Sequence, residues 1–149
     1  MKLSTKGRYG LRALIDLALY SENETVSIQS IARRQNISDS YLEQLMRKLR
    51  SAGLIVSVRG AQGGYKLARP ANEISVGDVL RALEGSLEAV TCGGEDNSCQ
   101  GADLCVTKFV WERINSSIRD TVDSIKLSQL VEESRLMREK GQIQVQKCD

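Results

Sequence analysis

At Gly53 the chain changes period. Before it, apolar residues recur at helical spacing: Leu11, Leu14, Ile15, Ala18 and Leu19 share one face, Ile28, Ile31 and Ala32 line a shorter segment, and Leu42, Leu45, Met46 and Leu49 line a third. After it, Leu54-Ile55-Val56-Ser57-Val58 is a β-branched run, followed by the glycine-rich Arg59-Gly-Ala-Gln-Gly-Gly64 and by Tyr65-Lys66-Leu67. Two short strands around a tip that tolerates positive φ predict a hairpin. A helix, a short helix, a longer helix and then a hairpin is the order of a winged helix-turn-helix. The expected fold is therefore mainly α with a small β-hairpin wing.

The helix boundaries are marked by residue type. Ser27 and Ser38 can cap the second and third helices, Asn36 supplies a turn between them, and Gly53 stops the third. Beyond Pro70, the sole proline, Ser75 caps a helix carrying Val76, Val79, Leu80 and Leu83 that Gly85 closes. Residues 86–103 predict an irregular loop rich in Gly, Asp, Glu, Asn and Cys. From about Leu104 a long helix is expected to run to Ser124, with the stripe Val106, Val110, Ile114, Ile118, Val122 and Ile125 together with Phe109 and Trp111. So long a stripe exceeds what a small chain can bury alone, and a second copy would cover it, giving a homodimer. From Ser128 a helix could continue to about Lys140. The expected division is a winged helix-turn-helix region over 1–70 and a loop and dimerisation-helix region over 71–149.

Charge agrees with that division. Residues 1–70 carry 12 Lys and Arg against 5 Asp and Glu, whereas residues 71–149 carry 9 against 14. A basic first half followed by an acidic second half suggests a polyanion-binding module, with double-stranded DNA as the partner. The exposed side of the third helix would enter the major groove, where base edges are distinguishable, bringing Ser40, Glu43, Gln44 and Arg47 to the bases. Ser38 and Tyr41 at the start of that helix and Gln62 at the wing tip complete the candidate DNA contacts. Arg59, at the mouth of the wing, is placed for an adjacent minor groove, where narrow A·T-rich segments concentrate negative potential. Lys2, Lys6, Arg8 and Arg12 are candidates for phosphates. The glycine-rich stretch leads into a strand and lacks a Gly-Lys-Ser/Thr ending, which argues against a nucleotide site.

The chain contains no histidine, which removes Ser-His-Asp and Cys-His nucleophilic chemistry and every His-based zinc site. No other acid–base pair or activated nucleophile can be assembled, so an enzyme is not expected. The apolar stretch Leu11 to Tyr20 is interrupted by Arg12 and Asp16 and is neither a secretory nor a membrane-spanning segment, and a cytoplasmic location is expected. Cys92, Cys99 and Cys105 fall within or at the edge of one loop, with six and five residues between them. Three thiolates so spaced can wrap a soft metal centre such as an iron–sulfur cluster, Zn or Cu(I). Unligated or redox-active thiols are the alternative. Cys148 is expected to be a free terminal thiol.

Met1-Lys-Leu-Ser-Thr-Lys-Gly-Arg-Tyr-Gly-Leu-Arg12, Ile37-Ser-Asp-Ser-Tyr-Leu-Glu-Gln-Leu45 and Val58-Arg-Gly-Ala-Gln-Gly-Gly-Tyr-Lys-Leu67 resemble the family of bacterial winged-helix regulators that includes IscR, NsrR and CymR. The resemblance runs from residue 1 to about 133. It implies a homodimeric transcriptional regulator whose long helix crosses that of its mate, with Ser40, Glu43 and Arg59 reading the operator. Similarity to IscR further implies an iron–sulfur cluster on Cys92, Cys99 and Cys105, 2Fe-2S in preference to 4Fe-4S, and control of cluster-biogenesis genes. One departure stands out. Where IscR has a histidine this chain has Lys108, whose ammonium has no lone pair to give iron. NsrR-like proteins use an N-terminal aspartate, but the corresponding stretch here is Lys6-Gly7-Arg8-Tyr9. Asp103, Glu95, Asp96, Cys148 or an exogenous ligand remain as the fourth donor. Similarity to CymR implies the other reading, a regulator of cysteine metabolism without a cluster, controlled by thiol redox state or by a metabolic enzyme as partner.

Overall fold

The computed structural model describes residues 3–91, 101 and 104–141. It contains α1 (Thr5–Tyr20), α2 (Ile28–Gln35), α3 (Asp39–Ser51), β1 (Ile55–Val58), β2 (Gly64–Leu67), a 3-10 turn at Ala71–Glu73, α4 (Val76–Glu84), α5 (Lys108–Ser124) and α6 (Leu127–Glu139). The serines mark the helix starts as expected. Ser27, Ser38 and Ser75 each accept a backbone N–H of the first turn, and Ser75 closes a capping box with Asp78. Between α2 and α3, Asn36 takes the left-handed conformation at φ 54°, a position that an asparagine tolerates. The expected mainly α fold with a two-stranded wing is present.

The inner faces of α1, α2 and α3 meet in one core. Leu14, Leu17, Ile31, Leu42, Leu45, Met46 and Leu49 are fully enclosed or nearly so, joined by Leu54 and Ile55 at the entry to the wing. The same core continues into the second half of the chain through Ile74, Val79, Leu83, Leu127 and Val131. Helix α4 lies against α1, where a Cβ on Gly10 would stand 2.2 Å from Leu83 Cδ1, so the missing side chain is what permits the close approach. Glu84, at the end of α4, accepts from the Ser4 hydroxyl at 2.6 Å and from the Ser4 and Gly7 amides at 2.9 Å. These donors, the Ser4 hydroxyl foremost, hold the Glu84 carboxyl below its ordinary pKa and tie the start of α1 to the end of α4.

The antiparallel strands pair Ile55 with Leu67 and Val58 with Gly64. The wing is also stitched to the body: Val26 and Tyr65 exchange backbone hydrogen bonds of 2.9 and 2.8 Å. Gly64 permits this, since a Cβ there would lie 2.6 Å from the Val26 carbonyl oxygen.

Three features depart from expectation. The long helix begins at Lys108 rather than near Leu104, because residues 104–107 lead into it through turns, with Leu104 N–H bonded to Gly101 O and Lys108 N–H to Cys105 O. Ile125 does not extend the stripe. It is extended, and its carbonyl accepts the Val76 amide while the Leu127 amide donates to Ile74 O, both at 2.8 Å. That backbone pairing ends α5 and turns the chain back, so α6 packs on the core through Leu127 and Val131. Asp16, expected only as an interruption of an apolar run, is fully buried and accepts from Arg34 Nε and Nη2 and from Gln35 Nε2, the last two at 2.7 and 2.9 Å. Arg34 also stacks on Tyr20, 4.0 Å from the ring centroid, and Arg138 of α6 covers the same ring and bonds its hydroxyl.

Removing one partner of a buried ion pair leaves the other without compensation. Asp16→Ala is expected to destabilise the fold by about 3 kcal/mol, at the low end for such pairs because the Arg34 head keeps access to water. A shift of the urea midpoint at unchanged slope reads the effect, and a midpoint equal to that of the parent chain would show the pair to be neutral.

Candidate nucleic-acid interface and cysteine segment

The helix expected to read DNA presents a polar outer face. Ser40, Glu43, Gln44 and Arg47 are all exposed, at spacings that align them along one side of α3, while Leu42, Leu45, Met46 and Leu49 hold the other side in the core. Arg59 and Gln62 are exposed on the wing, whose tip turns at Gly60 (φ 116°) and is closed by Gly63 N–H to Gly60 O at 2.9 Å. The wing tip is braced from the body by the Thr25 hydroxyl, which donates to Gln62 O at 2.6 Å.

Two of the candidates have structural partners as well. The Ser38 hydroxyl accepts the Tyr41 amide as the cap of α3. Tyr41 is half-buried, edge-on to Tyr9 with ring centroids 6.2 Å apart, and its hydroxyl donates to Thr5 Oγ1. These contacts fix where the outer face of α3 begins. Among the phosphate candidates Lys6 is exposed, whereas Arg12 is held by Gln35, donating from Nε to Oε1 and from Nη2 to the main-chain oxygen at 3.1 Å. Arg12 braces α1 against α2. Lys2 lies outside the described residues.

The cysteine segment joins α4 to α5. Cys92, Cys99 and Cys148, and the acidic fourth-ligand candidates Glu95, Asp96 and Asp103, lie outside the described residues. Cys105 is exposed, three residues ahead of α5, with Sγ 3.1 Å from Thr107 Oγ1. The Thr107 hydroxyl, foremost, and the Lys108 amide hold its thiol below the ordinary pKa. A lowered thiol pKa and open access to solvent suit the thiolate chemistry by which soft metals are ligated. Lys108 opens α5 and pairs with Glu112 at 3.8 Å, one turn on. No group of three or more metal-binding side chains comes together among the described residues.

Helix α5 is amphipathic in an unusual sense. It meets its own subunit through polar groups as well as through the half-buried Trp111, Ile118 and Val122: Arg81 of α4 makes a two-pronged ion pair with Asp123, at 2.7 and 2.9 Å, and Asn115 is the one buried residue of the helix. The other apolar side chains of the helix are left outside, with Phe109 66% exposed and Val110 and Ile114 also open to solvent, and Leu104 and Val106 just ahead of it are exposed too.

The family model for Rrf2, described as an iron-dependent transcriptional regulator, matches residues 3–133. This chain belongs to the Rrf2 family. Among curated relatives, the HTH-type transcriptional regulator IscR of Pectobacterium atrosepticum is 44% identical over 137 residues, covering 92% of this chain and 83% of that protein. Among solved structures, T. potens IscR is 45% identical with a TM-score of 0.73, covering 97% of this chain and 93% of that one. The global cysteine regulator CymR of B. subtilis gives a TM-score of 0.74 at 39% identity, over 89% of this chain and 98% of that one. As an Rrf2 protein the chain is a DNA-binding transcriptional regulator with a winged-helix fold. No helix among the described residues is long and apolar enough to cross a membrane.

Proposed function

We propose that this Rrf2 protein works as a homodimer whose operator affinity is set by an iron–sulfur cluster bound through Cys92, Cys99 and Cys105, with genes of cluster biogenesis among its targets. The observation that carries the reading is the place of the cysteines in the chain. They form the connection between α4, which is latched to the start of α1 through Glu84, and α5, which carries the uncovered apolar side. A cluster on this connection would order the root of the dimer helix, and an ordering event there biases the separation of the two recognition helices. The IscR names of the relatives and the iron-dependent description of the family support it. So does Cys105, whose exposed and acidified thiol fits the donor chemistry of such a centre. When bound, the cluster supplies a redox- and iron-responsive group. The protein supplies the thiolates and the lever that joins them to the DNA-reading region, residues 1–70.

In this reading α3 lies in the major groove with Ser40, Glu43, Gln44 and Arg47 toward the base edges, Ser38 and Tyr41 set its entry, and Arg59 and Gln62 of the wing follow the adjacent minor groove. Arg59→Ala is expected to weaken specific binding by about 1 to 3 kcal/mol, the scale of a good polar base contact, while leaving non-specific binding nearly unchanged. Titration of one duplex at fixed salt tests it, and an unaltered affinity removes Arg59 from the interface.

A second reading rests on the likeness to CymR and on the same exposed thiol: a regulator that responds through cysteine oxidation and holds no cluster. Iron and acid-labile sulfide analysis of the protein purified without oxygen separates the two. The cluster reading requires both elements in the purified protein together with visible absorption. A colourless protein without iron or sulfide after anaerobic reconstitution favours the thiol reading.

A further inference from the structure

Asn115 is out of place by the ordinary rules. Asparagine is a poor helix former, and on α5, where the neighbouring Glu112, Arg113, Ser116, Ser117 and Arg119 are exposed, this one side chain is 5% exposed. Its amide is spent on a segment with little regular structure. Oδ1 accepts the Ala89 N–H and Nδ2 donates to the Val90 carbonyl, both at 2.9 Å. The two bonds fall on consecutive residues, the last of them two positions before Cys92. At the other end, Cys105 stands three residues ahead of the same helix, its carbonyl accepting the Lys108 amide.

We infer that Asn115 is a positioning residue for the cysteine segment, clamping its entry at Ala89–Val90 onto the helix that follows its exit, so that entry and exit are held to one element before a ligand binds. Without the clamp, residues 86–91 lose the two side-chain bonds that hold them to α5, and ligand binding must order them as well as gather the thiols. The docking of α5 does not depend on it, since Arg81 and Asp123 join α4 to α5 separately. The inference rests on the cluster reading above and adds a residue to which a ligand role cannot be given.

The experiment uses the full chain, reconstituted without oxygen, and two variants that cut the same hydrogen bonds from opposite sides. Asn115→Leu keeps the size and removes both bonds. Ala89→Pro leaves the helix intact and removes the N–H that Asn115 accepts. Iron and sulfide content, visible circular dichroism and the rate of bleaching by EDTA are measured on the loaded proteins, and melting and oligomeric state on the cluster-free ones. Both variants are expected to take up iron and sulfide, to lose them to EDTA about tenfold faster, the scale of one or two lost hydrogen bonds, and to show altered visible dichroism. Their cluster-free melting should stay close to that of the parent. A loaded parent with variants of equal bleaching rate and dichroism overturns the inference alone, as does loss of the cluster-free fold in both variants, which would make Asn115 a framework residue. A parent that takes up neither iron nor sulfide overturns the cluster reading and this inference with it.

Discussion

A Cys105→Ala chain purified without oxygen is expected to contain neither iron nor acid-labile sulfide. Cys105 stands at the junction of the cysteine segment and α5, and nothing beside it can take its place. Thr107, its nearest hydrogen-bonding partner, offers a neutral hydroxyl, and Lys108 offers an ammonium that carries no lone pair and is already paired with Glu112. Soft iron sites select thiolates, so the loss is all or none rather than graded. The same outcome is expected for Cys92→Ala and Cys99→Ala, whereas Lys108→Ala should keep the colour. A coloured Cys105→Ala protein with normal iron content would move the ligand set elsewhere in the chain.

Ile114→Glu is expected to convert the protein to a folded monomer. In one subunit Ile114 is on the uncovered side of α5 with Phe109 and Val110, so a carboxylate there meets water and the subunit keeps its core. In the proposed dimer the same carboxylate would be buried twice, once from each copy, with no partner. Uncompensated buried charge costs on the order of 3 to 5 kcal/mol, enough to dissociate a dimer of ordinary affinity at micromolar concentration. Binding to a two-half-site operator should fall with it, because each monomer reaches only one half-site. A dimer of parental mass and melting temperature would show that another surface makes the seam.

Local rules made much of this fold legible. Ser27, Ser38 and Ser75 announce helix starts because a capping hydroxyl acts within three residues, and the buried and exposed faces of α3 follow from its period alone. The wing follows from β-branched residues around glycines. What escaped is long-range. The spacing of Ile114, Ile118, Val122 and Ile125 continues smoothly, and only the pairing of Ile125 and Leu127 with Val76 and Ile74 ends the helix and sends α6 to the core. Asp16 interrupts an apolar run, and its burial makes sense only with Arg34 and Gln35, a helix away, folded over it. Asn115 shares the helical face of Trp111, Ile118 and Val122, yet nothing in the sequence names Ala89 and Val90 as the groups its amide meets. Of the DNA-contact candidates, the outward side chains of α3 and the wing could be found from pattern, while the cap made by Ser38 and the ring contact of Tyr41 with Tyr9 needed the packing of α1 against α3.

The central claim is that cluster occupancy changes how this dimer holds DNA. A bound group shifts an equilibrium only through unequal affinity for its two states, so loaded and cluster-free forms must differ on an operator. The direct measurement is a paired titration, without oxygen and at one salt concentration, of a duplex selected by this protein from random sequence, using the loaded chain and the variant with Cys92, Cys99 and Cys105 all replaced by alanine. The account predicts affinities that differ by at least about 1 kcal/mol, roughly fivefold, on at least one selected operator. Equal affinities on every selected operator, with iron and sulfide confirmed in the loaded protein, would contradict it.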